Sequence, residues 1–348
     1  MFESGWRELL WSWVTMSAWI LVAILIFLFC LAVFYLLYLR RVNRGTAEFW
    51  PATVNLEGKI VVITTNGSDI GVEAARQMAD RGARIILACS DQGKVHEAKV
   101  DALNSTHELQ VVWRHLDTSS LASVNAFVDD FVRREARVDI LVMTACTGGA
   151  DTRELTADGL EVTMATNHFG HFLLVNRLIG LLRKNKCGRV IVLAASAHYM
   201  LSTITPKNLN FERAKYGGLR AFAQSMLCNI FMSNCLADAT AHAGVTVNSF
   251  CPGMVSSAPY LRGNNFLARL YSVLLRFVTR SDEEAAKTIV YLAGSDEVAN
   301  VTGAFFADCA ERKMTGLASD MGLARKIWEK GEAMVRLVPV DDPLMAAA

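Results

Sequence analysis

The sequence lacks an excess of charge of either sign and has little proline. Its 348 residues include 35 Lys and Arg against 34 Asp and Glu, and six prolines. Because nucleic-acid binding depends on a basic excess or a basic face, this composition gives no support to a nucleic-acid partner. No linker rich in proline or serine and no internal repeat divides the chain. One large domain with ample length for a sizeable core is therefore the simplest expectation.

The eight cysteines lack the paired spacings of a zinc site or a disulfide framework. Cys89, Cys146 and Cys251 fall in or beside predicted strands, and Cys228 and Cys235 lie seven residues apart in one predicted helix. We therefore expect reduced thiols in a reducing compartment, and we predict no metal site.

One long hydrophobic run dominates the N-terminal end of the chain. Residues 18–39 carry no charge and reach the roughly 20 residues that a membrane-spanning helix needs. A cleaved signal peptide fits less well, because the run is too long, no small-residue cleavage site follows it and no basic segment precedes it. We expect a retained single-pass anchor, with residues 1–17 as a short interfacial segment and residues 40–54 as a basic juxtamembrane linker.

The charges beside this run predict its orientation. Arg40, Arg41 and Arg44 follow it, which by the positive-inside rule places the main domain in the cytosol. The endoplasmic reticulum is the leading expectation, and the outer mitochondrial membrane and the lipid-droplet surface also suit such an anchor. If the orientation were reversed, the N-x-S/T sequences at Asn66, Asn104 and Asn300 would become glycosylation sites.

Strand-like and helix-like segments alternate after the anchor. The predicted strands are apolar throughout, which indicates burial on both faces. They span residues 59–64, 84–88, 109–115, 139–144, 189–194 and 245–250. Helical patterns lie between them, at residues 73–81, 119–134, 160–182 and 219–241. This order predicts an α/β fold with a doubly wound parallel sheet, as one Rossmann-type domain over residues 55–337 and a tail over 338–348.

The first strand leads into a loop of the kind that holds phosphates. Residues 59–75 read KIVVITTNGSDIGVEAA, a strand, a polar loop and a helix start. Such loops use glycines for the tight turn and for close approach of the backbone to a pyrophosphate. Here Thr65 and Asp69 stand where two of the glycines are expected.

Several stretches together resemble the short-chain dehydrogenase/reductase superfamily, and within it the membrane-anchored retinol dehydrogenase-like group. They include GKIVVIT, RGARIILAC, TADGLEVTMATNHFGHFLL and SFCPGMV, and the resemblance runs from about Gly58 to Val335. It implies transfer of a hydride between NAD(P) and a carbinol or carbonyl carbon. In that family a tyrosine is the general acid/base, a lysine four residues later tunes it, a serine binds the substrate oxygen and an asparagine holds a water.

The cofactor positions implied by the resemblance are degenerate. The family's T-G-x-x-x-G-I-G is matched only by Thr64, Ile70 and Gly71, and Asp69 places an anion where the pyrophosphate would lie. The alternative is that Gly67 lets the loop reshape and weak binding survives. The remaining implied positions are Ser90, where the family often has an arginine, Asp117 near the adenine, Ala145, Pro252 and Gly253.

The catalytic positions are changed as well. Only Asn167 is retained, while Ala195, Phe222 and Met226 stand at the family's serine, tyrosine and lysine positions. No tyrosine has a lysine four residues later. Tyr216 has Arg220 at that spacing but lies six residues too early. Ser196 is one residue past the serine position, and His198 matches a histidine common in the group, for which a structural role is expected.

These losses favour a catalytically inactive member of the family that binds either an apolar, lipid-like ligand or a protein partner, without NAD(P). The alternative is an active NAD(P)-dependent oxidoreductase of retinoid, steroid or other lipid substrates with an atypical site. A scaffold with a filled cleft is a third interpretation, and a homodimer stays open. Residues 261–280, with Arg262, Arg269 and Arg276 on one helical stripe, fit a substrate lid or a helix resting on anionic lipid.

Overall fold

The computed structural model describes residues 2–43, 54–66, 70–95, 111–185, 187–213, 215–255, 257 and 278–338. Asp69 and Gly67 in the first loop, and all but the last three residues of the predicted basic helix at 261–280, lie outside these ranges. The described part of the chain begins with one long helix, α1 (Phe2–Asn43). Within it, residues Met16–Arg41 are apolar and long enough to cross a membrane, and none of them is buried against the domain.

Eight strands form one sheet in the order β3-β2-β1-β4-β5-β6-β7-β8. Every neighbouring pair is parallel except the last, β7 with β8, which is antiparallel. The strands are β1 (Ile60–Thr64), β2 (Arg84–Cys89), β3 (Val111–His115), β4 (Ile140–Met143), β5 (Gly188–Leu193), β6 (Val245–Cys251), β7 (Phe305–Ala307) and β8 (Ala310–Arg312). All six predicted strands are therefore confirmed, and the doubly wound fold with them.

The other described helices cover both faces of this sheet. They are α2 (Ile70–Ala79), α3 (Gln92–Val95), α4 (Leu121–Arg134), α5 (Val162–Met164), α6 (Gly170–Lys184), α7 (Gly218–Thr240), α8 (Asp282–Gly294) and α9 (Met321–Val335). One apolar cluster joins α2 and α8 to the sheet, and a larger one joins α4, α6, α7 and α9 to its other face. In β1, β2 and β4 the side chains that point to both faces are almost all buried, which explains why these strands are almost entirely apolar.

The predicted helix at 160–182 differs from the structure in one respect. Between α5 and α6, residues Ala165–Phe169 form a turn of π-helix. Such a turn inserts an extra residue into the helical ladder and is frequent at functional sites. Asn167 lies in the middle of it, so the turn decides where this side chain points.

Candidate functional site

One stripe of α7 forms the wall of the candidate site. Phe222, Ser225, Met226 and Asn229 follow the spacing i, i+3, i+4, i+7 and therefore share a helical face. Phe222 is 6% exposed and Met226 0%. Neither side chain belongs to the two main apolar clusters. The positions that carry a hydroxyl and an ammonium in the implied mechanism thus present buried apolar side chains.

Asn167 is fully buried and its amide is engaged. Its Oδ1 accepts from the Thr147 backbone N at 2.7 Å, and its Nδ2 donates to the Thr147 carbonyl at 3.0 Å and to the Ser225 hydroxyl at 3.0 Å. Ser225 in turn donates to the Phe222 carbonyl at 2.8 Å. Both amide hydrogens are used, so the side chain ties the loop after β4 to α7.

Asn229 connects the same turn to the sheet, and the sequence analysis did not single it out. Its Nδ2 donates to the Asn167 carbonyl at 3.0 Å and to the Leu193 carbonyl at 2.9 Å. Its Oδ1 lies 3.1 Å from Nδ1 of His168. The signal that could have identified it was its place on the helical stripe of Phe222 and Met226, three residues beyond Met226.

Thr64 and His171 form a second buried network at the end of β1. The Thr64 hydroxyl accepts from the backbone N of Thr144 at 3.1 Å and of Ala145 at 3.2 Å, so its own hydrogen is directed to Nε2 of His171 at 2.8 Å. The other ring nitrogen then donates to the Asn167 carbonyl at 3.1 Å. Burial lowers the pKa of His171 to about 4, which keeps the ring neutral in this arrangement. The Asn167 carbonyl therefore accepts from both His171 and Asn229.

Ala195 and Ser196 lie beyond β5 rather than on it. The strand ends at Leu193, and Ser196 is the first residue of a 3-10 turn, Ser196–Met200. The predicted strand at 189–194 thus ends one residue earlier than expected, and Ser196 lies in a turn and not on a strand. Ser196 is exposed, yet its backbone and hydroxyl hydrogen-bond to Cys251, whose thiol pKa is raised by burial. His198 is buried, and its Nδ1 bonds the Ala195 carbonyl at 2.6 Å, consistent with a structural role.

Tyr216 is not placed as a substitute acid/base. Its hydroxyl donates to Oε1 of the buried Glu161 at 2.9 Å. Glu161 itself accepts from the backbone N of Thr163 and Met164 at the start of α5. Burial, with Glu161 beside it, raises the pKa of Tyr216 to about 12, away from the neutral range that proton transfer requires.

The crevice between β1 and β4 is where a doubly wound sheet reverses its strand order and where dinucleotides bind. Asn66 follows β1 and donates through its side chain to the carbonyl of Cys146, which follows β4. This bond crosses the crevice. Thr65 is 2% exposed, and its backbone N donates to the Ala88 carbonyl. The described side chains at this point fit a pyrophosphate poorly, because Thr65 fills a position where a dinucleotide loop needs glycine and the Asn66 side chain bonds across the crevice.

The other predicted cofactor positions lie around the carboxyl edge of the sheet. Ile70 and Gly71 begin α2, Ser90 follows β2, and Ala145 follows β4. The Asp117 carboxylate accepts from the backbone N and the hydroxyl of Ser119, as a turn-capping residue does. Pro252 and Gly253 follow β6, and Gly253 has a φ of +77° with the Arg280 guanidinium directly beside it.

Asp91 is a further residue at this edge that the sequence analysis missed. It lies two residues past β2, and its Oδ1 accepts from the backbone N of Gly93 at 2.9 Å. In dinucleotide-binding domains an acidic residue about 20 positions after the glycine loop bonds the ribose hydroxyls. Asp91 is 20 positions after Gly71, and that spacing was the available signal.

Comparisons with known proteins agree with this architecture. The profile of the short chain dehydrogenase family matches residues 59–263. Human retinol dehydrogenase 13 is 32% identical over 82% of this chain and 87% of its own length. An uncharacterized protein of Mycobacterium paratuberculosis, known from its crystal structure, is 25% identical, with a TM-score of 0.64 over 83% of this chain and 97% of its own. A short chain dehydrogenase of Shigella flexneri complexed with NADP, 21% identical over 73% of this chain and 98% of its own, shares the fold with a TM-score of 0.56.

The chain belongs to the short-chain dehydrogenase/reductase family and has retinol dehydrogenase-like relatives. The family typically uses NAD(P). Thr65, Phe222 and Met226 differ from the residue types that the family resemblance implies at these positions.

Proposed function

We propose that this family member is a membrane-anchored protein that acts by binding and does not transfer hydride. The observation that carries the proposal is the face of α7, where Phe222 and Met226 stand one turn apart and are both buried. General acid/base catalysis needs a proton donor within hydrogen-bond reach of the substrate oxygen, with a pKa near neutrality. A phenyl ring and a thioether supply no such proton.

The polar groups that remain support the same conclusion. Asn167, Ser225 and Asn229 bond one another and the backbone, so the loss of a hydroxyl and an ammonium has left none of these three donors unsatisfied. Removing one member of a buried polar network costs about 1–3 kcal/mol for each group left unpaired, whereas a joint replacement by apolar groups can be nearly neutral. The three polar side chains at the site are thus satisfied by protein groups, and Phe222 and Met226 give the site an apolar surface. Its partner is an apolar, lipid-like molecule or another protein.

Titration of the full chain in detergent with NADH and NADPH is the first test. We expect no saturable binding over the roughly micromolar to millimolar range in which enzymes bind their substrates, and no turnover of retinoid, steroid or aliphatic substrates. If an oxidoreductase activity is native to this chain, the triple variant Phe222→Tyr, Met226→Lys, Ala195→Ser should not be needed to reveal it. Its matched control, Phe222→Tyr, Met226→Leu, Ala195→Ser, lacks only the lysine. Micromolar binding with turnover by the unaltered chain would overturn the proposal.

The second candidate is an oxidoreductase that uses NAD with an atypical site, and Asp91 is the observation that favours it. A carboxylate at the end of β2 accepts hydrogen bonds from the ribose hydroxyls of NAD and repels the 2′-phosphate of NADP. If the unaltered chain binds a dinucleotide, NADH should bind more tightly than NADPH, and Asp91→Asn should reduce that preference. Equal affinities would count against this candidate.

A further inference from the structure

We propose that the amino-terminal edge of the sheet rests on the anionic headgroups of the membrane that holds α1. This inference depends on the membrane anchor in the proposed function. It assigns a surface and a partner that the candidate site does not involve, since the site lies at the opposite, carboxyl edge of the sheet.

The described chain connections at this edge carry an excess of basic residues. The described residues of 54–59, 80–84, 133–139 and 183–189 include nine Lys and Arg against four Asp and Glu. The two remaining described connections at the edge, 241–244 and 295–304, add only Asp296 and Glu297. The whole chain has a formal net charge of only +1. The described residues of these six connections therefore carry nine basic against six acidic side chains, an excess of three positive charges.

Helix ends do not explain this excess by themselves. Arg133, Arg134, Arg183 and Lys184 lie in the last turns of α4 and α6, where cations are favoured by the helix dipole. Lys59, Arg81, Arg84, Arg137 and Arg189 lie outside the described helices. Arg84 and Arg137 are bonded to Glu135 and Asp139, and they flank a surface depression of about 330 Å³. Because its arginines are already paired, the depression offers no site specific for one lipid headgroup. The attraction that we infer is a nonspecific electrostatic attraction between the basic edge and anionic lipid.

The path of the chain directs this edge to the membrane. Ten residues, 44–53, separate the end of α1 from Val54. Val54 and Leu56 are buried against the domain, and the Leu56 backbone N donates to the Arg81 carbonyl at 3.0 Å, so the chain joins the domain at the basic edge.

The length of this linker limits the other orientation. Ten residues span at most about 35 Å when fully extended. A domain of roughly 280 residues has a radius of gyration of about 19 Å and is about 50 Å across. The linker is therefore too short to reach the bilayer if the carboxyl edge rests on it, whereas it is long enough if the basic edge faces the bilayer. Each basic residue near an anionic leaflet adds attraction that decays within a Debye length.

The test places a reporter at each edge of the full chain in vesicles. Cys187 is an exposed thiol in the basic 183–189 connection and takes a fluorophore directly, in a Cys30→Ala background. The second reporter is Lys207→Cys with Cys187→Ser, at an exposed position of the connection that follows the carboxyl end of β5. Vesicles contain phosphatidylcholine with about 30% phosphatidylserine, and a headgroup spin label quenches a nearby probe.

We expect quenching at residue 187 and none at residue 207, with the signal at 187 lost in roughly 0.5 M salt. The triple variant Arg133→Gln, Arg134→Gln, Lys184→Gln should lose it too. Its matched control, Lys207→Gln, Arg213→Gln, Lys215→Gln, removes three exposed charges from the other edge and should keep it.

Flotation separates the two ways to fail. A chain that does not float with vesicles of phosphatidylcholine alone refutes the anchor and the proposed membrane function with it. A chain that floats but shows no quenching at 187, or equal quenching at 207, refutes only the orientation inferred here. Salt-insensitive quenching at 187 would refute the electrostatic basis.

Discussion

Met226 offers the sharpest test of the idea that the site has become an apolar surface. Its side chain is 0% exposed and lies one turn after Phe222 on α7. Met226→Lys restores the residue type that the family resemblance implies at this position. In an active site that normally holds a lysine at this position, polar partners stabilise its ammonium group. In an apolar site, Met226→Lys buries the ammonium group without such partners.

The expected loss of stability follows from the pKa of that lysine. Full burial lowers a lysine pKa by up to 3–5 units from about 10.4, and each unit corresponds to about 1.4 kcal/mol. A shift of about 3 units therefore removes about 4 kcal/mol near neutral pH, a large part of the 5–15 kcal/mol that stabilises a typical domain. Met226→Leu conserves volume and should cost less than about 1.5 kcal/mol.

The sign of the pH dependence distinguishes a buried charge from a packing defect. The folded lysine would titrate near pH 7.4 and the unfolded one near 10.4, so between these values the unfolded chain binds more protons. The free energy of unfolding of Met226→Lys should then rise with pH across this window. Its loss of stability relative to the unaltered chain should shrink towards pH 10. Adding Phe222→Tyr places a hydroxyl one turn away and should recover part of the deficit.

Thermal unfolding of the full chain in detergent, from pH 6 to pH 10, is the assay. A deficit of about 4 kcal/mol corresponds to a Tm lowered by about 8–15 °C in a domain of this size. The control Met226→Leu should melt within about 5 °C of the unaltered chain at every pH. If Met226→Lys has the same Tm as Met226→Leu and this Tm does not depend on pH, the position is hydrated. The site would then be open, which favours the oxidoreductase candidate.

Three further changes test the packing of the domain, each by unfolding in urea. Gly149→Ala puts a Cβ 1.8 Å from the Gly218 carbonyl oxygen and should cost about 1–3 kcal/mol or more, whereas Gly180→Ala, with open space around it, should be neutral or stabilise by up to about 1 kcal/mol. Trp328→Ala, in α9, removes a ring 4.6 Å from that of Phe172 and should cost about 3–5 kcal/mol. Asp139→Ala leaves the Ile60 backbone N without its 2.7 Å acceptor and should cost about 1–3 kcal/mol. Losses below 0.5 kcal/mol in Gly149→Ala, Trp328→Ala or Asp139→Ala would contradict the packing described.

The central strands could be predicted from the sequence because a strand that is buried on both faces is a continuous run of apolar residues. In β1, four of five residues are buried, and the run has no polar residue before Thr64. The last two strands show no such apolar run. Phe305–Ala307 is three residues long, and Ala310–Arg312 is exposed at the edge of the sheet. Helix α8 did have a local signal that was overlooked, an N-cap at Ser281 followed by three acidic residues.

The candidate site was predictable in its composition but not in its connections. Phe222, Met226 and Ala195 could be assigned because they interrupt recognisable stretches of sequence. The π-turn around Asn167 could not, because one extra residue in a helical turn leaves no mark on hydrophobic periodicity. The bond from Asn66 to the Cys146 carbonyl joins residues 80 positions apart, and no local pattern specifies such a partner.

These connections bear on the proposal that the site does not transfer hydride. The Asn167 carbonyl accepts from His171 and Asn229, and its amide hydrogens are held by Thr147 and Ser225. A water that relays protons would have to compete with these bonds, each of which contributes about 1 kcal/mol net. Restoring a tyrosine, a lysine and a serine therefore supplies the proton donors but not the room for a relay. We expect the triple variant to remain far slower than an active relative even if it binds a dinucleotide, and a variant that also carries Asn66→Ala, which opens the crevice, to bind it more tightly. Equal affinities of the two variants for NADH would show that the Asn66 bond does not obstruct the cofactor site.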